Sequence, residues 1–220
     1  MKETGLLSIH ADSNIGLYFF SVGEVLFTGI RLRTEQKRMI ERILKVRIVS
    51  LSIAGTPYPG LFIIEAKGII LAPSIIFENE KKKLEKESGL KVLTIDTSQT
   101  ALRNIIGLNK EKAIISSNTD NNIIRALHDM GISTLIVEHE EFDNIGSMII
   151  AGHDKGIISP VFDKRTIKKL EKHLSIELIE TTVNNRQLFI SSGIIHNNNG
   201  IIIGQDSITE EVMDITEGLS

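Results

Sequence analysis

Short runs of aliphatic residues, bounded by Gly, Asn or charged positions, recur along the chain at a fixed interval of 44 residues. The anchor of each copy is a tight turn followed by apolar positions. The turns end at Glu24, Gly68, Lys112, Gly156 and Gly200. Behind them stand Val25-Leu26-Phe27, Ile69-Ile70-Leu71, Ala113-Ile114-Ile115, Ile157-Ile158 and Ile201-Ile202-Ile203. A fixed period means that one structural unit is repeated, so the fold is read from the unit first.

The second copy gives the plan. Arg47 to Ile53 alternates and is rich in Val and Ile, which predicts a strand. Leu61 to Ile64 and Ile69 to Ala72 are short aliphatic runs joined by Glu65-Ala66-Lys67-Gly68, a hairpin pattern. Asn79 to Glu87 is polar around Leu84 and stops at Gly89, which predicts a helix with a Gly end. The fourth copy has Asp163 as a helix N-cap, with Ile167, Leu170 and Leu174 on one face. The third helix is expected from about Asp120 to Met130, and the first after Thr34. In the fifth copy Ser207 and Glu210 read as a capping box.

Each unit is thus two hairpin strands, a helix and a further strand. The mixed unit excludes all-strand propellers and helical arrays of similar period. The chain also opens with a lone strand, Leu6 to His10, and its fifth unit is as regular as the others, whereas open arrays need atypical polar ends. The expectation is a closed ring: a five-bladed α/β propeller in a single domain over 1–220, with units at about 1–46, 47–90, 91–132, 133–176 and 177–220. A closed ring has few free strand edges, which predicts a monomer.

Composition narrows the chemistry. The net charge is −3, so a basic stripe for gripping nucleic acid is not expected. There is no cysteine, which removes disulfides, thiolate metal sites and cysteine nucleophiles. Met1 to Ser13 lacks the apolar core of a secretory signal, and the longest apolar run, Gly68 to Phe77, is too short to span a bilayer and contains Pro73. These features predict a cytoplasmic protein with no membrane partner.

Several motifs then carry a resemblance. They are Ser52-Ile53-Ala54-Gly55, Lys67-Gly68-Ile69-Ile70 through Pro73, and Thr100-Ala101-Leu102-Arg103-Asn104. Further on come Ile145-Gly146-Ser147-Met148, Lys155-Gly156-Ile157-Ile158-Ser159-Pro160, Thr182-Val183-Asn184, and Gly204-Gln205-Asp206-Ser207 with Thr209-Glu210. In order and spacing the chain resembles the translation initiation factor 6 family over nearly its whole length. The resemblance implies the pentein fold, five ββαβ units about an axis. It implies no catalysis and no cofactor. It implies binding to the large ribosomal subunit, mainly to ribosomal proteins near the sarcin-ricin loop with limited contact to ribosomal RNA, blocking the small subunit and extending to large-subunit biogenesis. The sequence departs from the family where Arg103 replaces a usual Gly, where Ser116-Ser117 replace a usual Pro, near Gly60, and at Glu24 in the first turn.

The residues that begin the second strand of each unit are expected to form a ring. Among them Gly16, Gly60, Leu61, Arg103, Asn104, Ser147, Met148, Ser192 and Gly193 are the candidate partner-binding set. Small residues there let another chain approach closely; equally, they fit a crowded propeller centre. Asn104 is favoured because its amide can bond a partner backbone.

Lys81-Lys82-Lys83 with Lys86, and Lys164, Arg165, Lys168, Lys169 and Lys172 on a helix read as its neighbour, make basic faces. They read as solvated, because Glu80, Glu85, Glu87 and Glu171 are interleaved. His139-Glu140-Glu141 with Asp143 reads as a solvated loop rather than a metal site, and no metal is expected. His196 reads as a strand-end residue, and Asn197-Asn198-Asn199 as a turn. The rival function is a small-molecule or sensor pentein with a ligand in the central channel. Convergent charged groups in that channel would favour it.

Overall fold

The structure is a computed structural model and describes residues 2–220. In chain order its elements begin with β1 (Glu3–Leu7), β2 (Phe19–Val22), β3 (Val25–Thr28), α1 (Thr34–Leu44) and β4 (Arg47–Ser50). Next come a one-turn helix α2 (Pro59–Phe62), β5 (Ile64–Ala66), β6 (Ile69–Pro73), α3 (Glu78–Ser88) and β7 (Lys91–Ile95). The third group is a one-turn helix α4 (Leu102–Ile105), β8 (Gly107–Asn109), β9 (Lys112–Ser116), α5 (Asn121–Asp129) and β10 (Ser133–Val137). Then follow β11 (Ile149–Ala151), β12 (Lys155–Ile158), α6 (Lys164–Leu174) and β13 (Glu177–Glu180). The last are β14 (Ile194–His196), β15 (Gly200–Gly204) and α7 (Thr209–Leu219).

The strands form five sheets of three: β2-β3-β4, β5-β6-β7, β8-β9-β10, β11-β12-β13, and β14-β15-β1. In each, an antiparallel hairpin takes on a parallel strand that follows the covering helix. The fifth sheet lacks such a strand after α7, and β1 fills the place, running parallel from Glu3 opposite Gly200 to Leu7 opposite Gly204. The expected closure is therefore present, and the pseudo-fivefold α/β fold stands, but the closing strand is Glu3–Leu7 and not Leu6 to His10, because the chain turns at His10 and Ala11, both with positive φ.

Why the ring holds is visible in the apolar clusters, each of which joins two neighbouring sheets. One contains Leu84 of α3 with Phe20 and Phe27 of the first sheet and Ile70 of the second. Another packs Ile123 and Leu127 of α5 between Ile64 and Leu71 of the second sheet and Ala113 of the third. The cluster that closes the ring sets Ile40, Ile43 and Leu44 of α1 against Leu26, Ile195 and Ile202. Each fully buried Ile or Leu contributes about 2 kcal/mol by its removal from water. The core is thus spread over the seams between sheets.

Other expectations change as well. The segments read as starts of the second strands are instead short helical turns: 15–17, α2, α4, 145–148 and 190–193. The cause is crowding at the centre, where these turns touch one another around the ring. Nor are the basic helices α3 and α6 neighbours. Leu84 of α3 packs at the seam of the first and second sheets, while Ile167 of α6 packs with Ile114 at the seam of the third and fourth; α5 lies between.

The fifth helix also begins differently. Its first turn is closed by Glu211, whose Oε2 accepts from Ile208 N at 2.9 Å, and not by Ser207 with Glu210. The Ser207 hydroxyl is taken by Asn184, whose backbone N–H donates to it at 2.9 Å.

Candidate functional site: the central well and its floor

The second strands surround a cavity of about 1080 Å³ on the pseudo-fivefold axis. The hairpin turns make its rim, with Glu24, Lys67, Lys110, Glu111 and Asn198 among the lining residues. The five short turns lie beneath it, and Arg103, Gly146 and Ser191 of three of them line its floor. At the second position of each turn stand Gly16, Gly60, Arg103, Gly146 and Ser191.

The floor is packed through backbone. A Cβ at Gly16 would lie 2.1 Å from the Ser191 carbonyl oxygen, and one at Gly60 would lie 2.1 Å from the Gly16 carbonyl oxygen. Only glycine permits these approaches. The hydroxyl of Ser192 donates to Asn14 Oδ1 at 3.0 Å, tying the fifth turn to the first.

The candidate partner-binding residues are therefore brought together, but unequally presented. Gly16, Gly60, Ser147, Met148, Ser192 and Gly193 are buried. Leu61, Arg103 and Asn104 are half-buried. Arg103 lines the well, whereas neither Leu61 nor Asn104 does. Gly16, Gly60 and Gly146 pack closely against the backbone of neighbouring turns.

Arg103 is the exception in the floor ring. Its Nε is shielded from solvent and has no hydrogen-bond partner. Burial pulls its pKa down to about 10, and no neighbouring carboxylate acts in the other direction. It still carries its charge at neutral pH. His196 ends β14 as expected, yet it faces the well. Burial, reinforced by the charge on Arg103, lowers its pKa to about 3, so its imidazole is neutral. Ser21 on β2 also lines the well, and its Oγ is buried without a partner.

The rim is built of polar residues with structural work. Asn197 and Asn199 donate through their side-chain amides to Leu44 O at 2.7 and 3.2 Å, satisfying the end of α1. Asn109 does the same for Leu174 O at the end of α6, at 2.9 Å. No sequence signal marks these long-range caps. Lys67 pairs with Glu111 across two sheets at 3.4 Å.

The other flagged groups resolve as structure. The His139 ring packs against Phe142 and Phe162. Among the described residues no group of three or more His, Asp or Glu side chains is placed to hold a metal ion. No helix among them is long and apolar enough to cross a membrane.

A family model described as the eIF-6 family matches residues 5–218. Translation initiation factor 6 of Staphylothermus marinus is 28% identical, over 97% of this chain and 96% of that one. The factor of the same name from Nitrosopumilus maritimus is 29% identical, over 94% and 95%. Among solved structures, a dimethylarginine dimethylaminohydrolase of Pseudomonas aeruginosa complexed with citrulline superposes with a TM-score of 0.54 at 12% identity, over 95% of this chain and 75% of that one. At that identity the likeness is one of fold, the pentein fold.

Proposed function

The chain belongs to the eIF-6 family, a family of translation initiation factors, and from that premise we propose that it is a non-enzymatic factor that docks on the large ribosomal subunit and keeps the small subunit off. The observation that carries this reading is the family match across 5–218. The physics agrees with it. A ring whose apolar clusters tie each sheet to the next is rigid, and a rigid body seated on a joining surface excludes a second body without chemistry. A net charge of −3 favours basic ribosomal proteins near the sarcin-ricin loop over direct grip on RNA phosphates. The absence of cysteine removes one common nucleophile from the chain.

For the docking face we favour the outer side of the floor. Leu61 and Asn104 are half-buried there and do not line the well, so they are the members of the ring set with surface to offer. A few such central contacts dominate affinity in most interfaces.

The test is gradient sedimentation with separated ribosomal subunits. The factor should travel with the large subunit, and preloading should reduce the joined particle when small subunits are added. Migration with the small subunit, or with neither, overturns the reading. Asn104→Ser should weaken large-subunit binding several-fold at an unchanged melting temperature; equal binding would move the docking face elsewhere.

A further inference from the structure

The floor of the well carries a charge that nothing in the protein answers. Four of the five floor positions hold Gly or Ser, and the fifth holds Arg103. A guanidinium has five N–H donors and no acceptor, and its preferred partner is a planar carboxylate or a phosphate. Arg103 has neither: its Nε is buried and unpartnered. A buried N–H donor left without an acceptor is costly, and Arg103 Nε is such a donor beside an open cavity.

The surroundings are of one kind. Ser21 Oγ is a second buried, unpartnered group among the residues that line the well. His196 stands in the ring position opposite Ile201 that is Val22 opposite Val25 in the first sheet and Ala66 opposite Ile69 in the second. It is the polar residue where those two are apolar, and a neutral imidazole keeps one N–H to donate. Of the acidic side chains at the rim, Glu24 is exposed, and the other two are engaged. Glu65 accepts from Gly68 N at 2.7 Å, and Glu111 pairs with Lys67.

We propose that the well is a binding site for a small ligand bearing an oxyanion, carboxylate or phosphate, held by Arg103 at the floor with Ser21 and His196 donating from the wall. The site opens at the rim and is sealed at the floor, where the turns meet backbone to backbone. Its volume of about 1080 Å³ is ample for a small organic acid or phosphate ester. Docking on the ribosome is not needed for this site to fill, so calorimetry on the isolated protein reads it separately from sedimentation.

The experiment is titration calorimetry of the full chain at low ionic strength with two probes: citrate for the carboxylate class and inorganic phosphate for the phosphate class. At least one should bind the wild type with a stoichiometry of one, and the stronger probe names the class. Arg103→Gly should weaken that binding at least tenfold. Gly occupies the same place in three other turns, so the variant is expected to fold; Arg103→Gln serves as a second variant that keeps the side-chain length. Without probe, Arg103→Gly should melt no lower than the wild type, and only the wild type should gain in melting temperature when the probe is added. If neither probe binds, or if both variants bind as well as the wild type, the proposal fails.

Discussion

The first, second and fifth helices start from buried side chains three residues into the helix, whereas the third and fourth start from aspartates at the N-cap, Asp120 half-buried and Asp163 exposed. In α3 the Glu80 carboxylate accepts from Ala54 N at 2.7 Å, Gly55 N at 3.0 Å and Phe77 N at 3.0 Å. In α7 the Glu211 carboxylate accepts from Thr182 Oγ1, Asn185 N, Arg186 N and Ile208 N at 2.5 to 3.1 Å. Gln36 in α1 bonds Arg33 N and Ser8 O. In α6, Asp163 caps only its own first turn, accepting from Arg165 N, Thr166 N and Thr166 Oγ1, while in α5 Asp120 accepts from Asn122 N and makes one bond beyond the helix, from Thr97 Oγ1 at 2.7 Å.

The difference follows from the turn beneath each helix. Ala54-Gly55 and Asn184 to Arg186 have positive φ, and successive residues of that hand aim their N–H groups into one concavity that suits an anion. The glutamates fill it. No residue between 96 and 101 or between 138 and 144 has a positive φ, so no such concavity forms there; Asp163 makes a local cap, and Asp120 adds a side-chain bond from Thr97 Oγ1. The repeat thus copies a geometry, and the residue follows from where the amides point.

This contrast can be broken by mutation. Glu211→Ala should have the largest effect, about 3 kcal/mol of stability lost in denaturant unfolding, since it strands several buried donors at once. Glu80→Ala should cost about 2 kcal/mol. Asp163→Ala should cost about 1 kcal/mol, the usual loss of an N-cap. Equal costs for Glu211→Ala and Asp163→Ala would erase the distinction.

A smaller effect should appear with pH. Burial tends to raise the Glu211 carboxyl, but the bonds from Thr182 and the amides of Arg186, Ile208 and Asn185 outweigh it and hold the pKa below its usual value. The stabilisation is therefore complete above the unfolded pKa of about 4.3 and fades as pH falls through the lower folded value. The gap in melting temperature between wild type and Glu211→Gln should be full near neutrality and should narrow below about pH 4. A gap independent of pH would mean that the charge is not what fills the concavity.

Much of this architecture was legible in the chain. The hairpins announced themselves through Gly68, Gly156 and Asn199-Gly200, because turn residues report backbone geometry directly. The helices fall within a residue or two of the expected spans, and β1 closes the ring as its orphan position implied. The floor was harder. Ile15-Gly16 and Pro59-Gly60 look like strand beginnings, and only contact with the next turn around the ring makes them helical. Glu211 escaped notice because its partners lie on a different stretch of chain, at 182–186. Arg103 was marked only as a departure from the Gly usual in the family, and whether it pointed into the well or out of it depended on the rotation of a single turn.

One consequence of the closing ladder concerns synthesis. Glu3–Leu7 is made long before its strand partner among the described residues, Gly200–Gly204. Until then β1 waits as a naked edge bearing Leu6, which is 45% exposed even in the finished ring. Contacts so distant along the chain slow folding and prolong exposure to wrong partners. A polypeptide halted before Gly200 would forfeit the annulus itself, and removing β1 should therefore harm the far end of the molecule as much as the near one.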